Sequence, residues 1–308
     1  MDPAPAPPPV FLPLQARAVL AVGGPDRRAF LQGLITNDIG RAADDRAIPA
    51  ALLTPQGRIL HDFLVVEQDE RLLFDAEADG ADALMRRLTT YRLRSRVTIE
   101  RLAGWAVAAV IDSAALRALG LPDEAGAARR LAEDGGVAFV DPRLAALGAR
   151  LLAPEGRFAA LVAAGWLRGD ASAYTARRLA LGVPEGQADL ADGLAMESGL
   201  DPLNALDWKK GCYVGQEVTA RMRYRGLTKK RLVPVRIDGV APPPGTPVTL
   251  DGEDVGEMRG SANARGLALI RIDRLDAAAE HTLRFAAGDA TLTADPPAWL
   301  PRATTQPS

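Results

Sequence analysis

The chain has 308 residues, of which 48% are hydrophobic and 25% charged, and its formal net charge is −2. These values are typical of a soluble globular protein of about two domains, and they exclude a globally basic nucleic-acid binder. A single cysteine excludes an intrachain disulfide, and no apolar run approaches the roughly 20 residues that a membrane helix needs. The proline-rich start lacks the marks of a signal peptide and the arginines of a mitochondrial transit sequence, so a cytoplasmic protein is predicted.

The first 230 residues are predicted to form a mixed body of helices and strands. From 105 to about 168 helices and strands alternate, which indicates an α/β sub-domain within this body. The other predicted elements, in chain order, are a strand at 17–22, a short helix after Pro25, strands at 47–54, 58–67 and 71–75, a helix at about 82–92 with Leu84, Leu88 and Tyr91 on one stripe, and a strand at 96–102.

Residues 231–308 are predicted to form a second domain of a different kind. Helical patterns disappear there, and short strands alternate with turns such as Asp251-Gly252 and Gly288-Asp289. Even spacing of short strands and turns favours an independent β-barrel or sandwich. The sequence therefore predicts an α+β protein with an all-β C-terminal domain.

The only cysteine, Cys212, lies in the segment KGCYVGQE at 210–217. The positive charges of Lys209 and Lys210 favour the thiolate form of a nearby sulfur, although a lone cysteine is also often a buried, inert residue. The glycines permit backbone conformations that other residues avoid, and the two residues that end the segment can bind amides or a ligand. The residues predicted to shape a site around the thiol are Lys210, Gly211, Tyr213, Gly215, Gln216 and Glu217.

Apolar and polar residues alternate from Val218 to Arg225, which predicts a strand with an arginine face formed by Arg221, Arg223 and Arg225. Residues 209–231 carry eight basic residues and one acid. Such a face is either a solvated surface or a groove for a carboxylate, a phosphate or an acidic partner. Nucleic-acid binding is disfavoured because few aromatic residues accompany the charges. The two histidines, His61 and His281, lie far apart, so no metal site is predicted.

The cysteine segment resembles the signature of the YgfZ family, folate-binding-like proteins that assist iron–sulfur cluster assembly. This family is similar to the T-protein, the aminomethyltransferase of the glycine cleavage system. The resemblance implies an aminomethyltransferase-like folate-binding body, 1–230, and a C-terminal β-barrel, 231–308. Further matching stretches are 31–38, 53–60, 91–94, 178–186, 196–201, 218–221, 225–226 and 230–235.

The resemblance implies an accessory factor for assembly or insertion of [4Fe–4S] clusters, with Cys212 and Lys210 at its reactive centre and iron–sulfur assembly or client proteins as partners. It leaves open whether any reaction turns over. A cluster requires about four thiolates, so this chain must contribute one ligand, react with a partner's sulfur, or use a folate-linked reaction. No permanently bound metal, nucleic acid or membrane partner is expected.

Tetrahydrofolate is the cofactor implied by the resemblance, but Ala180 occupies the position where a glutamate that holds the pterin is expected. Alanine cannot accept the two hydrogen bonds that such a carboxylate accepts. Two alternatives remain, a folate-dependent one-carbon transferase that relies on Asp62 and a non-catalytic interaction scaffold. The residues predicted to bind folate or another anion are Asp62, Tyr91, Arg94, Glu197, Arg221, Arg223 and Arg225.

Overall fold

The computed structural model describes residues 7–131 and 135–301. Within these residues two short 3₁₀ helices, Ile39–Arg41 and Ala145–Leu147, accompany the main elements. In chain order these are β1 Val10–Pro13, β2 Arg17–Gly23, α1 Arg27–Gln32, β3 Ile48–Leu53, β4 Ile59–Gln68, β5 Arg71–Glu77, α2 Ala81–Arg92, β6 Thr98–Arg101, β7 Trp105–Val110, α3 Ser113–Ala118, β8 Ala128–Leu131, β9 Gly136–Val140, β10 Ala149–Pro154, α4 Glu155–Ala163, β11 Leu167–Arg168, α5 Ala171–Ala180, α6 Gly186–Leu190, α7 Gln216–Tyr224, β12 Lys230–Asp238, β13 Pro247–Leu250, β14 Glu253–Ala262, β15 Arg265–Arg271, α8 Ile272–His281, β16 Phe285–Ala287 and β17 Ala290–Ala294.

The first sheet has five antiparallel strands in the order β3-β4-β5-β2-β6. Its strands agree with the predicted ones, because their apolar runs are separated by turns that the sequence marks clearly. Helices α1 and α2 cover one face of the sheet, and the predicted stripe of α2 is confirmed at Leu84 and Leu88, which are buried. This core therefore forms between one face of the sheet and two helices.

The second sheet has six strands in the order β11-β1-β7-β10-β9-β8. The strand β1 from the N-terminal end pairs in parallel with β11 and antiparallel with β7, so segment 105–168 shares its sheet with residues from the start of the chain. One face packs against the first sheet, where Leu64 and Val66 meet Phe139 and Leu152 in a common core. The opposite face is covered by α3 and α4. The body is thus built from two sheets packed face to face, with helices outside.

The C-terminal strands close into a six-stranded barrel in the order β12-β15-β14-β13-β16-β17. Its interior is filled by side chains such as Val235, Met258 and Phe285. The expected absence of helices after Leu232 is wrong, because α8 follows β15 and packs Ala278 against the barrel. The run Asp276-Ala-Ala-Ala-Glu280 consists of residues that a helix accommodates well, with no glycine or proline between Ile272 and His281. The predicted α+β fold with a C-terminal β-barrel is otherwise confirmed.

Candidate functional site

The cysteine loop, which we define as residues 208–215, lies against the C-terminal end of α1 and the turn between β3 and β4. Its Val214 amide donates to the carbonyl of Gly33 at 3.3 Å, just after α1. The side-chain amide of Gln32 donates to the carbonyl of Lys210 at 3.2 Å. At the other end, Gly215 lies so close to the β3–β4 turn that a Cβ there would be 2.5 Å from the carbonyl oxygen of Thr54. Three separate stretches of the chain therefore meet at this loop.

Cys212 is exposed, while the residue that follows it is buried. Tyr213 packs with Leu53, Ile59 and Leu206 in a small core beneath the loop. Burial raises the pKa of the Tyr213 hydroxyl to about 12, so the ring is a neutral anchor. Gly211 has a φ of 93°, a left-handed conformation that favours glycine. The left-handed backbone at Gly211 and the buried ring of Tyr213 hold the Cys212 sulfur, which lies between them in the chain, at the surface.

Lys210 points its ammonium group into the protein. Its Nζ donates to the carbonyls of Ile35 at 2.5 Å and Asn37 at 2.7 Å, and lies 5.2 Å from the centre of the Tyr213 ring. Burial lowers the pKa of this amine to about 8, with Asp38 and Asp207 opposing the change. These contacts give Lys210 a positioning role, because they fix the loop to the turn after α1; its predicted catalytic role stays a prediction.

The end of the signature closes the loop and starts a helix. Gly215 adopts a left-handed conformation at the N-cap of α7, and the Gln216 side-chain oxygen accepts from the Tyr213 amide at 3.3 Å. Glu217 instead extends into solvent, with 83% of its side chain exposed, and pairs with Arg221 at 2.7 Å. Gln216 is therefore a structural partner of the loop, whereas Glu217 lies on the outer surface of α7.

The strand predicted for 218–225 is wrong, because α7 occupies these residues. The sequence carries two periods at once, and the helical one prevails because Thr219 and Met222, one turn apart, are the residues that become buried. The three arginines consequently share no single face, since alternate residues on a helix point about 200° apart. Arg223 lies over the ring of Trp208 at 4.2 Å and within 3.6 Å of Asp201. The predicted arginine face is therefore also wrong.

The remaining predicted anion-binding residues lie in different parts of the body. Tyr91, in the last turn of α2, packs at the edge of the core, and Arg94 is exposed beyond the end of this helix. Glu197 lies beside the start of β12, where its carbonyl accepts from the Leu232 amide at 2.9 Å, and burial raises the pKa of its carboxyl. The carboxylate of Asp62 accepts from the Gly186 amide at 3.0 Å, and burial raises its pKa although Arg17 opposes the change.

The sequence did not predict a buried ionic network between the two sheets. At its centre, Oε2 of Glu185 accepts from Arg143 at 2.9 Å, Arg150 at 2.5 Å and the Tyr174 hydroxyl at 2.8 Å. Burial opposes ionisation of Glu185, but the surrounding arginines hold its pKa well below the usual range. The other members of the network are Arg17, Asp75, Asp141, Arg178 and Asp189.

A signal for this network is present in two strands. Asp75 interrupts the apolar run of β5, and Arg150 interrupts that of β10. A charged residue at an inward position of a buried strand requires an opposite charge nearby, because an unpaired buried charge is strongly destabilising. The two residues come within 3.5 Å, although 75 positions of the chain separate them.

A polar cavity of about 430 Å³ lies beside the network, a volume typical of small-molecule sites. Ala180 is exposed on α5 and does not line this cavity, so it makes no contact with a pterin bound there. Glu185 lines it, but one of its two oxygens already accepts three hydrogen bonds. Glu185 therefore does not have both carboxylate oxygens free to accept hydrogen bonds from a pterin edge. The charged lining residues are Arg17, Glu77, Arg168, Asp170, Arg178 and Glu185.

A larger cavity, of about 770 Å³, lies between α8 and the barrel and has no lining residue in the cysteine loop. Across residues 7–131 and 135–301, no group of histidine, cysteine, aspartate and glutamate side chains could hold a metal ion. Within the same residues, no helix is long and apolar enough to span a membrane.

Comparison with known proteins gives matches to the whole chain and to its barrel. Residues 229–302 match the family described as CAF17, C-terminal beta-barrel domain. The iron–sulfur cluster assembly factor IBA57, mitochondrial, of Homo sapiens is 35% identical over 94% of this chain and 84% of its own length. The same factor of Mus musculus is 34% identical over 85% of this chain and 77% of its length. These relatives are mitochondrial proteins, which contradicts the predicted cytoplasmic location.

The fold has a solved counterpart. The glycine cleavage system aminomethyltransferase T from Bartonella henselae superimposes with a TM-score of 0.76, covering 96% of this chain and 87% of its own. Sequence identity is only 15%, so the likeness concerns the fold. The predicted aminomethyltransferase-like fold is confirmed.

Proposed function

The chain belongs to the IBA57 family of iron–sulfur cluster assembly factors and acts as an accessory factor in that assembly, and on this premise we propose that Cys212 carries its chemistry. Such a role implies contact with assembly or client proteins. We also propose the kinship with the YgfZ family that the cysteine signature implies. The observation that carries the proposal is an exposed thiol on a loop that is fixed at both ends.

In the proposed mechanism, Cys212 supplies one ligand to a cluster that a partner protein also holds. The thiol loses its proton to solvent, and the sulfur donates an electron pair to one iron of the incoming cluster. About three further thiolates are needed, and this chain has no second cysteine, so the partner must provide them. Tyr213 and Lys210 hold the loop in place, which limits the entropy lost when the sulfur binds iron.

The thiol proposal is tested by complementation in cells that lack the native protein, with the activity of [4Fe–4S] enzymes as the readout. Cys212→Ser should restore little activity, because oxygen is a poorer ligand than thiolate for iron–sulfur chemistry. Immunoblotting should show wild-type protein levels, since the residue is exposed and its replacement costs little stability. Full restoration by Cys212→Ser would contradict the proposal.

The transferase alternative depends on Asp62 and on folate instead of the thiol. Asp62 is a partner of the Gly186 amide inside the body, and Ala180 removes the expected pterin anchor. Tetrahydrofolate binding stays a prediction, and no step of the proposed mechanism uses it. A ligand that binds only the native state must raise its melting temperature. A rise in melting temperature with saturating tetrahydrofolate would support the folate prediction, and an unchanged melting temperature would oppose it.

A further inference from the structure

The polar cavity of about 430 Å³ beside the ionic network presents both signs of charge on its lining. We propose that it binds a small zwitterion of the α-amino acid class, which carries one carboxylate and one ammonium group. This inference goes beyond the proposed function, since it involves neither the thiol nor a cluster. The volume of the cavity lies in the range of small-molecule sites and well above that of a single ion.

The polar cavity lies where the turn between β1 and β2, the end of β5 and the start of α5 meet. On α5 it is lined by Tyr174, Thr175 and Arg178. Ala180 comes two positions after Arg178, so its side chain points about 200° away around the helix. The cavity is therefore on the other side of α5 from the predicted pterin anchor, and no residue of the cysteine loop lines it.

A buried guanidinium of the lining has one nitrogen left for a ligand. The side chain of Arg17 is only 4% exposed. Its Nε donates to Oδ1 of Asp75 at 2.6 Å and its Nη2 to the Asp75 carbonyl at 2.7 Å, but Nη1 has no hydrogen-bond partner among the residues that the structure describes. Because a buried donor without an acceptor is destabilising, this nitrogen calls for an acceptor from outside the chain. A ligand carboxylate would supply it through a charge-assisted hydrogen bond.

A carboxylate oxygen of the lining is left for a ligand as well. Oε2 of Glu185 accepts the three hydrogen bonds of the ionic network, whereas Oε1 accepts none within the described ranges 7–131 and 135–301. The Glu185 side chain is 11% exposed and lines the cavity, so Oε1 is the oxygen that a ligand can use. An ammonium group donates well to such an ionised acceptor.

The ionic network fixes these two groups relative to each other. Arg17 is bound to Asp75, whose Oδ2 lies 3.5 Å from Nε of Arg150. Arg150 in turn donates to Glu185 at 2.5 Å. A ligand would thus meet the donor and the acceptor already in place, which reduces the ordering that binding requires.

Ligands with a single sign of charge fit the polar cavity less well. An inorganic anion would come close to the carboxylates, and a polyamine would come close to the arginines, so each meets repulsion as well as attraction. A neutral apolar molecule would leave the free donor and acceptor unpaired. A zwitterion satisfies both. The lining is balanced, with three basic and three acidic residues, Arg17, Arg168, Arg178, Glu77, Asp170 and Glu185.

Calorimetric titration of the full-length protein with each proteinogenic amino acid tests the class of ligand. We expect at least one to bind at a single site per chain, and at about 100 times its Kd to raise Tm by roughly 5–10 °C. The carboxamide and the N-acetyl derivative of that amino acid should each bind at least about tenfold more weakly, because each lacks one of the two charges. Absence of binding by every amino acid, or equally tight binding of succinate, phosphate or putrescine, would overturn the inference.

Two substitutions on α5 test the location. Thr175→Phe fills the polar cavity from a half-buried position and leaves the ionic network intact. Ala173→Phe is the matched control, because Ala173 is exposed and lies on the same side of the helix as Ala180. We expect binding to weaken at least about tenfold in Thr175→Phe and to be unchanged in Ala173→Phe. If circular dichroism shows that Thr175→Phe is unfolded, Ala16→Trp replaces it, at an exposed position of the same lining. Wild-type binding in the filled cavity, or a loss in Ala173→Phe alone, would place the ligand elsewhere and refute the assignment.

Discussion

Replacing Arg150 by methionine should lower the free energy of unfolding more than replacing an arginine at the surface does. Arg150 is 1% exposed, donates to the Tyr174 hydroxyl and to Glu185 at 2.5 Å, and lies 3.5 Å from Asp75. Methionine keeps an unbranched chain of similar length and removes only the guanidinium. The carboxylates that it neutralised remain buried in the variant.

The expected loss follows from that geometry. Removing one partner of a buried ion pair costs about 3–5 kcal/mol, because the other charge stays buried. Glu185 keeps Arg143 at 2.9 Å, so we expect the lower end, about 3 kcal/mol. For domains of this size each kcal/mol lowers Tm by about 2–4 °C, which gives a decrease of roughly 6–12 °C. Combining Arg150→Met with Glu185→Gln should cost less than the two losses added together, because the stranded charge is then absent.

Thermal and urea unfolding followed by circular dichroism would measure these differences. Arg130→Met is the matched control, because Arg130 pairs with Asp69 at 2.5 Å but its side chain is 61% exposed, and the expected loss is below about 1 kcal/mol. Acid adds a second readout. The lowered pKa of Glu185 contributes stability that is lost as pH falls through the folded-state value, and without Arg150 this loss should begin at higher pH. Equal losses for the two arginines, or strict additivity with Glu185→Gln, would refute the reasoning.

Three further predictions concern the cysteine loop and the body. Gly215→Ala should lower the free energy of unfolding by at least about 3 kcal/mol, and Gly211→Ala by about 1–2 kcal/mol. Both positions have a left-handed backbone, but only the Cβ added at 215 would lie 2.5 Å from the Thr54 carbonyl oxygen. Equal losses would contradict this prediction. At pH 7 Lys210→Met removes the donor to the Ile35 and Asn37 carbonyls but also removes the burial cost that lowers the pKa of this amine, so the difference in unfolding free energy between wild type and variant should be small. This difference should grow above pH 8, because the folded-state pKa near 8 makes the unfolded chain bind the extra proton; a pH-independent difference would oppose it. Asp62→Asn should restore [4Fe–4S] enzyme activity fully, and loss of restoration would favour the transferase. The variant should also be at least as stable as wild type at pH 7, because the raised pKa of Asp62 means that its ionisation destabilises the folded state as pH rises.

The sequence predicted those features whose physical cause is local. The strands β3, β4 and β5 follow from apolar runs bounded by turns, and α2 follows from the spacing of Leu84 and Leu88. At α7 the local pattern supported two periods, and burial of Met222 against the body, a tertiary effect, decided between them. Helix α8 was missed because the turn signals on either side of it drew the whole segment into an all-β prediction.

The site shows the same division. The exposure of Cys212 agrees with the charged, glycine-rich surroundings from which a reactive thiol was predicted. The direction of Lys210 could not be predicted, because the carbonyls of Ile35 and Asn37 that receive its ammonium lie more than 170 positions earlier. The network around Glu185 depends on pairs separated by 35 to 42 positions and on the contact between Arg150 of the second sheet and Asp75 of the first, so its geometry arises only when the two sheets pack.

The closed barrel has a consequence for how this protein meets others. A partner that adds a strand to a sheet needs a free edge, where backbone amides and carbonyls are unpaired. Each of the strands β12 to β17 pairs with two neighbours in the closed barrel, so a partner cannot add a strand to this barrel. Recognition there must use side chains, which single substitutions can weaken without unfolding the barrel. Substitutions on the surface of this barrel can therefore change what it binds while the ring itself stays constant.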